Sequence, residues 1–510
     1  MSIYQAHRSA LMQRLFATQT AAVVATHHLV TRNHDCHYRF RPHSDFWYLT
    51  GFAEPDAVLV MLPGKFKLED SRCVLFLRER NKEMEIWDGK RLGVERAPAV
   101  LGVEEAFPID DLWHELPRLL AGRERVMAQT GFDIEFDRHL LEALSGLRGR
   151  ARKGVQPPVE LVDPLPLLHE LRLHKTAGEI ANMRRAAAIT AEAHIAAMAQ
   201  ARPGVNEYEI DALIESTFRR SGSTGPAYNS IVAGGEGACI LHYIENNAVL
   251  KDGDLLLIDA GAEWEYYAAD VTRTFPVNGT FSPEQRALYE VVLAAQEAAV
   301  AAVRPGVPTS SIHEVATHHL AEGLIHLGLC QGSPAEVIES GAIREFYMHG
   351  TSHWLGLDVH DQGAYSLDGN SRPLEPGMVL TVEPGLYVTR RTKPSTRALA
   401  RHRHPHRGRH PGDRRRPREP DRGDPEVGRS GGSRLPGRRP RLPLSGTPSK
   451  QPARARRPPA PRPASFESAG AIAAWPSGRR HAAQKPPGQR RWMRPGRRSA
   501  GWSASSSGLQ

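Results

Sequence analysis

The stretch Leu255 to Pro276, LLLIDAGAEWEYYAADVTRTFP, constrains this chain more than any other. Two apolar runs end in carboxylates, Asp259 and Asp270, with Gly261 and aromatic residues between them. The pattern predicts a β-hairpin that brings the two Asp side chains to one point. A carboxylate closing the buried run LLLI costs several kcal/mol unless something positive meets it. A turn cap or a pair with Arg273 is the plain explanation. A bound cation is the functional one.

Residues 1–172 read as an α/β domain. AAVVAT (21–26), AVLVMLP (57–63) and CVLFLRE (73–79) have the continuous apolar character of buried strands. RFRPHSDFWYLTGF (39–52) lies between them, dense in aromatics, and EIWDGKRLG carries an isolated Trp87. No Gly-rich phosphate loop follows any of these strands, so nucleotide binding has no support. LLHELRLHKTAGEIANMRRAAAIT (167–190) marks a boundary, with a polar break at Lys175–Gly178 before a helix to about Gln200. Asn206 with Glu209, Ser282 with Gln285 and Ser311 with Glu314 predict further helix starts. Strand-like runs at 229–243 and 376–388 alternate with these helices without a βαβ rhythm. Residues 173–388 therefore read as α+β.

Five elements of this second part form one acidic and imidazole-rich set. They are His242 in ILHY, Asp259, Asp270, the trio His349, His353 and His360 in MHGTSHWLGLDVHD, and Glu383 in LTVEPGLY. Singly, each has a dull explanation. Together, oxygen-rich donors with an imidazole suit hard divalent ions, Mn²⁺ foremost, with Co²⁺ or Zn²⁺ as alternatives. Two or more carboxylates can bridge a metal pair that activates water.

The strings SDFWYLTGF, ILHY, LIDAG…ADVTRTFPVNG, HGTSHWLGLDVHD and LTVEPGLY resemble aminopeptidase P. That is the proline-specific branch of the "pita-bread" metallopeptidases, related to prolidase, creatinase and methionine aminopeptidase. The resemblance covers about residues 1–388. It implies a creatinase-like N-terminal domain over 1–172 and a pita-bread catalytic domain over 173–388. It also implies two Mn²⁺ per subunit and release of the N-terminal residue from peptides with proline second. By that resemblance Asp259 would bind one metal, Asp270 would bridge both, His353 would bind the second, and Glu383 would be ligand and general base. His242, His349 and His360 would line the pocket and stabilise the oxyanion, and Trp87 and Tyr387 would be its walls. A homo-oligomer, dimer or tetramer, is implied as well. Prolidase, which prefers dipeptides, and an inactive pita-bread binding protein are the alternatives.

One family feature is missing. The resemblance implies a fifth ligand, a Glu in a strand like RGIGIRIEDDILVT soon after Glu383, but this chain reads ALARHRHPHRGRHPGDRRRPREP there. Synonymous codons chosen for Ala400–Gly412 spell RGIGIRIEDDIL when read one nucleotide later, and the agreement continues to Val427. A frameshift between about Val388 and Ala400 is the expectation, with the lost Glu overlapping the codons of Arg407 and Gly408. Composition agrees. Residues 389–510 hold 31 Lys and Arg against 6 Asp and Glu, whereas residues 1–388 hold 35 against 51. The tail also carries 19 of the 39 prolines, so it reads as a disordered basic segment without a core of its own. A nucleic-acid-binding arm is the competing reading; out-of-frame GC-rich DNA yields the same bias, so no specific nucleic-acid partner is expected. Cys36, Cys73, Cys239 and Cys330 form no CxxC pair, and no 18-residue apolar run is present. A cytoplasmic protein without a membrane span is expected.

Overall fold

The computed structural model describes residues 2–389. The tail expectations, disorder and the lost strand included, lie outside the described residues.

Six strands form the sheet of the N-terminal part, in the order Glu105–Pro108, Arg72–Leu77, Val58–Leu62, Thr20–Ala25, Arg125–Met127, Glu160–Val162. Their side chains alternate between two cores. Ala22, Val24, Leu59, Met61, Leu75 and Leu77 face the helices Ile3–Thr18 and Ser44–Thr50. Ala21, Val23, Val58, Val60, Val74 and Phe76 face the helices Leu112–Leu120 and Ile134–Gly149. Burial of both faces is why the strands read as unbroken apolar runs rather than alternating ones.

The second part begins with the long helix Ala177–Gln200, started by a Thr176–Glu179 capping box, and Glu207–Arg220, started by Asn206 and Glu209 as expected. These two helices pack on the strands Ile231–Gly234 and Leu255–Asp259 through Ile189, Ile214, Phe218, Val232, Leu256 and Ile258. Leu255–Asp259 pairs antiparallel with Thr272–Pro276, Asp259 opposite Thr272. A smaller hairpin, Ala262–Trp264 with Tyr267–Ala268, fills the connection. Gly261 permits it: a Cβ there would stand 1.7 Å from the Ala269 carbonyl oxygen. Two further helices, Pro283–Ala302 and Thr309–His326, complete the mixed α+β arrangement.

Three local expectations need correction. Ser311 does not cap a helix: Pro308 precedes a start at Thr309, and the Ser311 N–H already donates to the Pro308 carbonyl. Within 229–243 only Ile231–Gly234 is strand, because Gly235 turns the chain with φ +56° into a short helical turn, Gly235–Cys239. Segment 376–388 is extended but forms a single bridge, Trp354 with Leu380. Its N–H groups at Thr381 and Glu383 donate to His353 and Thr351, pairing it with 351–355.

His194 on the long helix is 3% exposed, and its Nε2 bonds the Ala260 carbonyl at 3.2 Å. Burial pushes its pKa down to about 4 against that bond. The unfolded chain therefore takes up this proton first as pH falls from about 6.5. The stability it contributes above pH 6.5 is lost on approach to pH 4, about 2–3 kcal/mol. Urea unfolding at pH 7 and pH 4.5 is expected to show that loss in the parent and not in His194→Gln.

Candidate active site

Period-two geometry explains the first carboxylate. Leu256 and Ile258 point into the helix-covered core, so Leu255, Leu257 and Asp259 occupy the opposite, half-open face. Asp270 arrives from the inner hairpin. Tyr228 Oη lies 2.5 Å from Asp259 Oδ1 and 3.1 Å from Asp270 Oδ1. One hydroxyl donates one proton, so the two carboxylates share a single donor. Arg273 is not their partner: it donates to the Thr272 carbonyl. Burial first, then the charges of Asp270 and Glu383, push the Asp259 carboxyl up to about 7.

His353 and Glu383 come from the paired segments 351–355 and 379–383. His353 Nε2 stands 3.3 Å from Asp270 Oδ2 and 3.1 Å from Glu383 Oε1. The side chains of Asp270, His353 and Glu383 are 11%, 17% and 33% exposed. Thr381, two residues before Glu383 on the same face, donates its hydroxyl to Glu383 Oε1 at 2.8 Å and accepts the His353 N–H at 3.0 Å.

The ring orientation tests what this set can hold. His353 Nδ1 is 3.0 Å from the Trp354 carbonyl, so Nδ1 carries a proton and Nε2 faces two carboxylates. A bare lone pair there would be repelled. The geometry requires either a second proton on the imidazole or a cation between the groups. In the protonated case burial opposes the charge, but the bonds to Asp270 and Glu383 outweigh it and raise the pKa to about 10. In the other case, donors about 2.0–2.2 Å from a shared ion stand about 3 Å apart, close to the separations here. Among the described residues no three His, Cys, Asp or Glu side chains form a finished ion cage. His353 contacts its carboxylates directly, and Asp259 is tied to Tyr228. The residues nevertheless fit a hard divalent ion, with oxygen donors in excess and an imidazole oriented by its second nitrogen.

The remaining histidines flank this group unequally. The His360 ring meets the His353 ring edge-on at 4.4 Å. Burial, then the His353 charge, hold its pKa below the usual range, and His242 adds to the effect. His242 is exposed, on a turn whose ends are fixed by Glu207. That fully buried carboxylate accepts from Gly234 N–H, Tyr243 Oη and Ala248 N–H at 2.7–2.8 Å. His349 is committed on both nitrogens, to the Gly350 carbonyl at 2.8 Å and to Tyr387 Oη at 2.9 Å. It anchors Tyr387 and offers no free N–H. Trp87 is not brought to the group. It is 83% exposed on the helix Met84–Asp88, with no polar or ring contact to the seven among the described residues. Tyr228, Thr381 and Glu207 escaped the sequence reading.

Fold and site together define a class of two-domain protein: an α/β domain joined to an α+β domain whose paired carboxylates and imidazole suit a divalent ion. Comparison with known proteins gives the family. Residues 181–408 match metallopeptidase family M24, and residues 4–127 match the aminopeptidase P N-terminal domain. Xaa-Pro aminopeptidase of Escherichia coli is 45% identical over 387 residues, 76% of this chain and 86% of that protein. Xaa-Pro aminopeptidase 3 of mouse is 35% identical, covering 73% of this chain and 72% of the relative. The structure of Pseudomonas aeruginosa aminopeptidase PepP superposes with a TM-score of 0.73 at 48% identity, covering 76% of this chain and 86% of that one. A zinc-substituted E. coli aminopeptidase P with product gives 0.74 at 44% identity, covering 78% and 89%. The chain belongs to metallopeptidase family M24, whose members use divalent metal, and carries the N-terminal domain of aminopeptidase P.

Proposed function

We propose that this chain is, by descent, an aminopeptidase that removes the N-terminal residue from peptides with proline in second position. The observation that carries the reading is His353 Nε2 set between Asp270 and Glu383, with Asp259 tied to Asp270 through Tyr228. The Xaa-Pro aminopeptidase names of the relatives support the substrate class. Structures of E. coli aminopeptidase P include alanine variants at four histidines. Their spacing equals that of His242, His349, His353 and His360 here.

Asp259, Asp270, His353 and Glu383 would hold the metal, two Mn²⁺ per chain in our reading, with Co²⁺ or Zn²⁺ able to substitute. Such ions polarise the scissile carbonyl and lower the pKa of the attacking water. Glu383, held in one orientation by Thr381, would act as the general base toward the attacking water. His360, whose ring meets the His353 ring edge-on at 4.4 Å, would donate to the oxyanion as charge develops. Tyr387, fixed by His349, forms a wall of the pocket. This suits proline, whose tertiary amide lacks the N–H that backbone-gripping proteases use.

Three further readings accompany this one. The boundary near residue 172 separates the two domains. Four free cysteines and the lack, among the described residues, of a helix long and apolar enough to cross a membrane support a cytoplasmic enzyme. The exposed neighbours Ile86 and Trp87 support assembly into a dimer or tetramer.

Incubation with Mn²⁺ and an Xaa-Pro-Yaa peptide, followed by mass spectrometry, tests the assignment, with the reading frame restored after Val388. Release of Xaa from Xaa-Pro-Yaa and not from Xaa-Ala-Yaa is expected. Faster turnover of the Xaa-Pro dipeptide would move the assignment to prolidase. Tyr228→Phe is expected to weaken Mn²⁺ binding by about 10- to 100-fold in calorimetric titration, because Asp259 and Asp270 lose their shared donor.

A further inference from the structure

The segment between His353 and His360 is anchored from outside the catalytic part. Arg172, 2% exposed on the connecting helix Glu170–Leu173, splits its guanidinium between three carboxylates. Nη1 donates to Asp45 Oδ1 at 2.7 Å, and Nη2 donates to Asp358 Oδ2 at 2.8 Å and Asp361 Oδ1 at 2.5 Å. Lys175 Nζ donates to the other Asp361 oxygen at 2.9 Å. Ser44 Oγ donates to Asp358 Oδ1 at 2.5 Å, and Arg41 Nη2 to the Leu357 carbonyl at 2.7 Å. Asp45 and Ser44 open the aromatic helix of the N-terminal part, and His169 Nε2 lies 3.0 Å from the second Asp45 oxygen. Gly356 lets the anchor close, since a Cβ there would stand 2.1 Å from Asp361 Oδ2. Two fixed cations thus meet Asp358 and Asp361, which flank His360 in sequence, and Asp45, more than three hundred residues before them.

We infer that Arg172 and Asp45 are positioning residues: through Asp358 and Asp361 they hold the 354–361 loop so that His360 keeps its place beside His353. The inference rests on the proposed substrate contact of His360 only for its kinetic consequence. Neither Arg172 nor Asp45 touches the reacting groups. Neutralising Asp45 in Asp45→Asn keeps its shape while releasing one arm of the guanidinium, which then draws Asp358 and Asp361 into a new balance.

Hydrogen exchange on the full chain reads this directly. Asp45→Asn is expected to speed amide exchange across 355–361 by about tenfold while the strands Leu255–Asp259 and Thr272–Pro276 exchange as in the parent. Unchanged exchange in 355–361, or an equal rise in those strands, would overturn the inference, since the second is what general destabilisation gives. Turnover supplies an independent arm in the frame-restored protein. Asp45→Asn is expected to lower kcat by about 10- to 100-fold with KM nearly unchanged, and to have no further effect in a His360→Ala background. Multiplicative losses in the double variant would contradict the positioning role. If His360→Ala alone leaves kcat intact, the reading of His360 fails, and the exchange result decides the loop anchor by itself.

Discussion

Restoring the reading frame after Val388 is expected to raise metal content to two divalent ions per chain and Xaa-Pro-Yaa turnover at least about 100-fold over the chain as written. Charge balance is the reason. Two divalent ions bring four positive charges. Asp259, Asp270 and Glu383 supply three negative ones, and His353 supplies none when it acts as a ligand. The fifth ligand implied by the family resemblance is a carboxylate, which would close the balance. Without that carboxylate, two ions would leave net positive charge in a half-buried site, which a second ion resists entering. Loss of an outer-shell partner alone costs about 10- to 100-fold in affinity or activity, and a bridging ligand costs more. Metal analysis of both chains after dialysis, with turnover measured in parallel, checks this. Two tightly held ions in the chain as written would refute it.

Arg172→Met is expected to destabilise the fold by about 3–5 kcal/mol, the range for removing one partner of a buried ion pair. Methionine fills much of the aliphatic volume, so the loss comes from leaving Asp45 and Asp361 buried with too little positive charge around them. Both carboxyls are held below the usual carboxylate range in the parent. Burial opposes this, but Arg172 overcomes it at Asp45, and Lys175 followed by Arg172 at Asp361. A depressed folded pKa contributes stability that is present above the unfolded value, about 4, and lost as pH falls below it. Urea midpoints followed from pH 7 to pH 3 should therefore fall steeply in the parent and less steeply in Arg172→Met. Equal midpoints at pH 7 would show that the buried network contributes nothing.

What the sequence disclosed and what it concealed divide along the range of the interactions. Asp259 was legible because a local alternation places it opposite the face of Leu256 and Ile258. Tyr228 was not: its hydroxyl matters only because the inner hairpin returns Asp270 to the same point. Arg172 and Lys175, in LHELRLHK, look like an exposed charged helix face. Their burial depends on Asp45 and Asp361, each more than a hundred residues away along the chain. The pairing of Ser311 with Glu314 matches a capping box, yet Pro308 sets an earlier start that local pattern alone did not weigh. Segment 376–388 has strand composition, but its hydrogen bonds are divided between 351–355, Phe346, Lys175 and Gln296 and do not build a full ladder. The resemblance puts Trp87 in the pocket wall, whereas the single chain leaves it in solvent.

The central claim is that Asp259, Asp270, His353 and Glu383 hold divalent cations, one of them shared by Asp270, His353 and Glu383. Anomalous diffraction at the manganese edge, from crystals of the chain grown with Mn²⁺, tests it most directly. The account predicts a peak about 2.0–2.4 Å from His353 Nε2 and from oxygens of Asp270 and Glu383, with the His353 ring still bonded to the Trp354 carbonyl. A map with no peak there, while His353 Nε2 remains on its two carboxylates at saturating Mn²⁺, would contradict it.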